Sequence, residues 1–487
     1  MKRLGGTDAL FLSMETPSWH QHVGGLTILD PEGRQVTFSR LLANVERRIP
    51  LAPKFRWKVK EVPLRLDRPV WVDDPDFDVR KHVRRIGVPS PGGPRETAEV
   101  AGQLLSYQLD RRRPLWELWY LEGLANGRVG MVMKYHHCLL DGVAGASLAT
   151  VLMDLEPEPD PASIPPLPSP EEASAGPTPS ELELFGRGLV PDLGVPVRTA
   201  RYLGTTAARL GTMANFLRRD ERSRTALMRA PKTPFNAAVG PNRALAFASV
   251  SLEDVRKVKE QHGVKVNDVV LALAAGTLRR YLEGLGELPE EPLISGVPVS
   301  TRADGDTAMD NKVATIFVSL ATDVADPVAR LQAINESSMS AKEMGEAVRA
   351  RQIQSIGELA SPLILGTAIR AVYGAQLIAR SPMRINTLVS NIPGPPIPLY
   401  TCGARVTGIY SSSVILEGMG VNITVLSYID RIDFGVHVDP DLVPDPWEIA
   451  DGIPDALAEL LEASGLGAPT AVEDPFGETA SPVRAVS

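Results

Sequence analysis

The run His136-His137-Cys138-Leu139-Leu140-Asp141-Gly142 sets two imidazoles side by side, with a carboxylate and a glycine just beyond them. A neutral imidazole accepts a proton near pH 7, because its unperturbed pKa lies close to that value. The chemistry on offer is general-base activation of a hydroxyl or amine. The plainer reading is a hydrogen-bonded histidine pair in the core, followed by an Asp-Gly turn. Metal binding is disfavoured. The chain has 7 His and 2 Cys, and a zinc site built on this run would need ligands from far away. No metal is expected. Cys138 beside a base could act as a nucleophile, but its apolar flank suits a small buried side chain better.

Such groups need a strand to hold them. Val129, Met131, Met133 and Tyr135 alternate just before the histidines, which predicts a strand over 128–137. Neighbouring side chains on a strand point to opposite faces. One histidine then faces a substrate and the other faces the core. A helix over 142–155 is expected to follow directly. Around these, Thr37 caps a helix that carries Phe38, Leu41, Leu42, Val45 and Ile49 on one side. Strands are expected at 55–62 and 115–121, and a helix at 96–109.

Nine prolines fall between Pro157 and Pro179, a composition that reads as an extended linker without helix or ladder. Residues 198–232 hold nine Lys or Arg against Asp220 and Glu221, a local charge of +7. Leu203, Ala207, Leu210, Ala214 and Leu217 are spaced there for a helix. That helix either lies on an anionic membrane surface or packs on the body with a solvated basic face. The second half restarts an α/β pattern. Strands are expected at 245–251, 293–299, 313–320, 386–390, 404–410, 421–428 and 431–438. Ser251 with Asp254 starts a helix that Gly263 ends, and a long helix covers 266–282. The domain reading is 1–156 for one lobe, 157–240 for the linker and basic crossover, 241–464 for a second lobe, and 465–487 for a disordered tail.

Composition bounds the rest. With 487 residues, length alone suggests two or three domains. A net charge of −8 argues against a general nucleic-acid surface. Cys138 and Cys402 are too few for a disulfide framework, in keeping with a cytoplasmic setting. No run has signal-peptide character or the length of a membrane-spanning helix, so membrane contact is expected to be peripheral.

Further segments accompany the histidine run. They are His22-Val23-Gly24-Gly25-Leu26, Asp76-Phe77-Asp78 with His82-Val83-Arg84-Arg85, Pro114-Leu115-Trp116-Glu117, Val266-Asn267-Asp268-Val269-Val270, Val297-Pro298-Val299-Ser300-Thr301-Arg302 and Ser390-Asn391-Ile392-Pro393-Gly394-Pro395. In this order they closely resemble the bacterial wax ester synthase/acyl-CoA:diacylglycerol acyltransferase family, over about residues 5–461. One departure stands out. Trp19-His20-Gln21 precedes His22 where the family more often has a Pro-Met pair, which bears on acyl chain length.

The resemblance implies a mixed α/β, chloramphenicol-acetyltransferase-like fold. It has two lobes, each a mixed sheet with flanking helices, and a tunnel at their interface. It implies His137 as general base and Asp141 as a structural carboxylate paired with an arginine, with Arg48 and Arg56 as candidates. Gly142 would allow a tight turn. His136 would support His137 or sit in the core. Asn267 and Asp268 are both expected among the catalytic residues, and Asn267 would stabilise the oxyanion or cap its helix. Pro114, Leu115, Trp116, Glu117, Ser390 and Asn391 are expected around the substrate, with Pro114 and Trp116 as packing rather than chemistry. The implied reaction moves a fatty acyl group from acyl-CoA, a substrate rather than a cofactor, to diacylglycerol or a long-chain alcohol. No cofactor is implied. The implied setting is the inner membrane surface or lipid inclusions. Two other readings remain: a nonribosomal-peptide condensation-type enzyme, which shares the histidine motif and the fold, and a non-catalytic lipid-storage protein.

Overall fold

The computed structural model describes residues 2–139, 152–160, 166–189, 230–300, 313–349 and 385–477. A small sheet runs β1 (Lys2–Arg3), β4 (Val70–Asp73), β3 (Trp57–Lys60). The first large sheet is built from β2 (His22–Asp30), β5 (Val83–Gly87), β6 (Trp116–Glu122), β7 (Val129–His136), β12 (Tyr400–Thr401) and β13 (Ala404–Ser412). Its order is β12-β13-β2-β7-β6-β5. The second is built from β8 (Ala244–Ser251), β9 (Ile294–Ser300), β10 (Val313–Ser319), β11 (Thr387–Ile392), β14 (Val421–Tyr428) and β15 (Arg431–Val438). Its order is β10-β9-β11-β14-β15-β8. The β5–β6 pair is parallel in the first sheet, and β11 runs parallel to both β9 and β14 in the second. Both sheets are therefore mixed, as expected.

The helices begin and end where local chemistry says they should. In α1 (Gly6–Met14), Ala9 and Leu12 face the core. In α2 (Phe38–Arg48), the Thr37 hydroxyl accepts from the Arg40 amide at 3.3 Å, satisfying an otherwise orphaned donor of the first turn. α3 (Pro94–Ser106) covers the back of the first sheet. Two short helices, α4 (Pro170–Ala173) and α5 (Glu181–Leu189), follow. In α6 (Leu252–His262), Ser251 caps through the Asp254 amide at 3.2 Å, and Gly263 closes the helix at φ 65°, a left-handed conformation that glycine adopts without strain. α7 (Val266–Leu285), α8 (Pro327–Arg349) and α9 (Trp447–Ala463) pack on the second sheet.

Three expectations need correction. The strand over 404–410 was assigned to the second lobe, yet β13 lies in the first sheet, paired with β2. Its alternating pattern gives a strand on either sheet; only the partner's register decides which. The segment 157–179 holds a one-turn helix at α4, because Ser169 caps it and the Glu172 carboxylate accepts from the Ser169 amide at 3.0 Å. The tail assignment fails over 465–477. Phe476 is fully buried against Phe247, Tyr410 and Leu245. Glu473 O accepts from Arg431 Nη1 at 2.9 Å, and Phe476 O from Asn126 Nδ2 at 2.9 Å. One aromatic ring in an otherwise polar stretch is enough to anchor it. The remainder of the tail, the basic segment over 198–229, and the expected helix over 142–151 lie outside the described residues.

Candidate active site

Strand alternation divides the two histidines as predicted. β7 ends at His136, which is fully buried. Its Nδ1 accepts the Cys138 amide at 3.1 Å, so the ring carries its proton on Nε2. That nitrogen lies 3.7 Å from Glu15 Oε1. Burial, with Arg111 and His137 nearby, holds His136 far below its ordinary pKa. It is a neutral core residue that ties down the turn. His137 follows on the opposite face. Its amide donates to Gln21 O at 2.8 Å, and its ring stacks on Phe11 with centroids 4.2 Å apart. Cys138 is fully buried, which pushes its thiol up, away from the nucleophilic thiolate.

His137 opens onto a cavity of about 600 Å³. One wall belongs to the first lobe. Val23, Gly24, Gly25 and Thr27 of β2, Met131, Met133 and Tyr135 of β7, and Leu41 and Val45 of α2 line it, with Leu152 and Met153. The other wall comes from later in the chain: Ser390 to Pro395, Thr401, Ser411 to Val414, Thr424 and Leu426. The first wall is almost wholly apolar, and hydroxyls and amides concentrate on the second. The glycine pair has a packing reason. A Cβ on Gly24 would strike Met133 O, and one on Gly25 would lie 2.7 Å from Tyr410 O. Only glycine lets β2 sit this close to both neighbours.

The other expected residues divide. Ser390 and Asn391 line the cavity, and Asn391 Nδ2 donates to Asn267 Oδ1 at 3.4 Å. Asn267 does not cap its helix, because the cap position is Lys265. Asp268 is the capping group: its Oδ2 accepts the Lys265 amide at 3.0 Å, which assigns it to the helix start. Pro114, Leu115, Trp116 and Glu117 do not line the cavity, which begins at the next residue, Leu118. Trp116 is buried, donates to Phe55 O at 2.8 Å and stacks on His82. Leu115 O accepts the His136 amide at 3.0 Å. Glu117 faces the buried Lys134 ammonium at 3.3 Å. This box braces the histidine strand from its flank. Asp141 and Gly142 lie outside the described residues. Of the two candidate arginines, Arg56 is exposed. Arg48 is buried, pairs with Asp154 and donates to Asn44 Oδ1 at 3.0 Å.

Sequence reading passed over Phe11, Thr401 and Ser411 to Ser413. Phe11 reads as one more apolar residue of an amphipathic helix. The serines carry no signal until β13 is known to cross into the first sheet. Trp19 packs on Val23 and Val414 behind the lining, while His20 turns away, with Nε2 2.8 Å from Pro241 O. Among the described residues no group of three or more His, Cys, Asp or Glu could hold a metal ion.

The model of the wax ester synthase/diacylglycerol acyltransferase catalytic domain matches residues 4–270, and that of the WS/DGAT C-terminal domain matches 309–461. The chain belongs to the wax ester synthase/diacylglycerol acyltransferase family. It is an acyltransferase, which sets aside the storage-protein reading, and the family match sets aside the condensation-type one. A putative diacylglycerol O-acyltransferase of Mycobacterium tuberculosis is 39% identical over 470 residues, spanning 95% of this chain and 91% of that one. The solved wax ester synthase/diacylglycerol acyltransferase of Marinobacter aquaeolei VT8 is 29% identical, with a TM-score of 0.68 over 96% of this chain and 100% of that chain. The first condensation domain of the calcium-dependent antibiotic synthetase shares the fold, at 14% identity, a TM-score of 0.56, and 98% of each chain.

Proposed function

We propose that this member of the family transfers a long-chain fatty acyl group from acyl-CoA to the hydroxyl of diacylglycerol or a long-chain alcohol, with His137 as general base. One observation carries this reading. Among the described residues that line the cavity, His137 is the one side chain able to exchange a proton near neutral pH. The thioester of acyl-CoA is already activated, so no covalent enzyme intermediate is required. The acceptor hydroxyl is a poor nucleophile until its proton is removed as the C–O bond forms. His137 takes that proton, and the alkoxide oxygen attacks the thioester carbonyl. The tetrahedral intermediate collapses with loss of CoA thiolate, which recovers the proton from the imidazolium. A base placed this way contributes on the order of 10²–10⁴ in rate, and holding both substrates together in the cavity supplies much of the rest. Asn391, which lines the cavity and bonds Asn267, would donate to the developing oxyanion. The apolar wall suits an alkyl chain. The reaction so described draws on no further cofactor.

The acceptor is a lipid, so the enzyme meets it at a membrane or lipid-inclusion surface. The basic, helically spaced pattern over 198–232 supports that surface contact.

The decisive experiment incubates the purified protein with labelled palmitoyl-CoA and either diacylglycerol or hexadecanol, beside a His137→Ala variant. Triacylglycerol or wax ester should form, and the variant should lose activity at least a hundredfold, about the lower end of a general base's contribution. No neutral lipid from either acceptor would remove the proposed substrates. Product made equally well by the variant would remove the base.

A further inference from the structure

Helix α1 and the residue that ends it, Glu15, brace the two histidines with two side chains. Phe11 lies face to face with the His137 imidazole, the rings 4.2 Å apart at centroids and 13° from parallel. Both rings border the cavity. One turn on, Glu15 sits beside His136. Arg111 grips Glu15 Oε2 through Nε at 2.9 Å and Nη2 at 2.7 Å, and also donates to Leu12 O at 2.7 Å. With Ala9 and Leu12 packed in the core, the backbone of α1 is fixed against the histidine turn. Phe11 is therefore held on His137, not merely near it.

We propose that Phe11 is a positioning residue for His137: it holds the imidazole plane so that the ring edge meets the acceptor, and it stabilises the imidazolium that forms. This rests on the reading of His137 as the base. The proton and the accepting lone pair of an imidazole lie in the ring plane. A partner on the ring face thus restricts rotation without blocking the nitrogen that works. The electronic part follows from charge. A benzene face attracts a cation through its quadrupole, and His137 becomes cationic only as the acceptor proton moves. The attraction is stronger in the transition state than in the ground state, so it lowers the barrier rather than merely tightening binding. Phe11 belongs to α1, outside the histidine run and every other segment that carries the family resemblance.

Phe11 also borders the cavity, so it has a rival role as a passive wall for the acyl chain. The two roles separate kinetically. In Phe11→Leu and Phe11→Met, kcat with palmitoyl-CoA and dispersed diacylglycerol is expected to fall about 2- to 30-fold, the span of cation–π strengths. Loss of the ring destabilises the imidazolium, so the acid limb of the kcat/KM profile should move to lower pH by about 0.3 to 1.5 units, the same free energy expressed as a pKa. Phe11→Tyr keeps the ring and should keep both properties near wild type. Two aliphatic replacements are used so that poor folding of one leaves the other to decide. A rise in KM alone, with kcat and the acid limb unmoved, would reduce Phe11 to a wall and overturn the proposal. So would a tyrosine variant that behaves like the leucine one. Full activity in His137→Ala would overturn the base itself. An inactive His137→Ala beside a Phe11→Leu of wild-type profile would overturn only the role of Phe11.

Discussion

His20, His22 and His437 show how far burial, the leading cause among several, changes a side chain. His22 pairs in register with His136, and His20 stacks on it at 5.2 Å. His437 Nδ1 lies 2.8 Å from Ser413 O. Burial is the leading cause that pulls His20 down to about 4 and His437 to about 3, with His22 also well below its ordinary value. All three are neutral in the folded protein at pH 7. Above pH 6.5, their ordinary value, they are neutral when unfolded as well and add no pH dependence. As pH falls further, the unfolded chain takes up protons that the folded chain refuses. Stability should therefore drop between pH 6.5 and 4, by about 1.4 kcal/mol per pH unit for each histidine. Urea unfolding at pH 7, 6, 5 and 4 checks this, and a flat profile would show that the cluster is hydrated. These residues also show the limit of reading types alone. A histidine in sequence announces proton chemistry, and His137 sits where it can use it. His20, His22, His136 and His437 carry the same ring into the core, and nothing in their types says so. Alternation along the strand separated His136 from His137 correctly, because that depends only on local geometry.

At the level of elements, most boundaries follow from caps and periodicity. Thr37, Ser251 and Gly263 fix helix ends by satisfying backbone groups within a few residues, which a sequence displays directly. The strand over 55–62 is shorter than its β-branched and aromatic content suggests. Turns that begin at Pro53 and Pro63 bracket it and leave only β3. The tail is the clearest departure. Phe476 completes the core between α3 and the paired sheets, stacked parallel to Phe247 at 5.9 Å. Phe476→Ala should cost roughly 3–5 kcal/mol and lower the melting temperature by several degrees. An unchanged melting temperature would return this stretch to the status of a free tail. Low hydrophobicity over twenty residues pointed to disorder, but an average conceals one large buried ring.

The two lobes share more than an interface, because β13 leaves the second half of the chain to pair with β2 of the first. The exchange is locked by Arg431. Its guanidinium bonds Asp433 at 2.7 Å and Thr407 O at 2.9 Å, joining β15 to β13. The same crossing brings Ser411 to Ser413 to the cavity. The proposed association with lipid would be a property of the whole molecule in the same sense. No described helix is long and apolar enough to cross a membrane. The protein is expected to float with vesicles containing anionic lipid at low salt and to be released as salt rises. Protein left at the bottom at low salt would count against surface contact through 198–232. The sequence by itself determined the family, the mixed α/β class, most elements and the division of the two histidines between core and cavity, because motifs, caps and strand alternation are written in neighbouring residues. The tertiary structure decided which sheet receives β13, which residues wall the cavity, that Pro114 to Glu117 brace rather than line it, and that Phe11 lies on His137. Each of these depends on contacts between segments far apart in the chain, and strand pairing and ring stacking leave no periodicity from which a single sequence could reveal them.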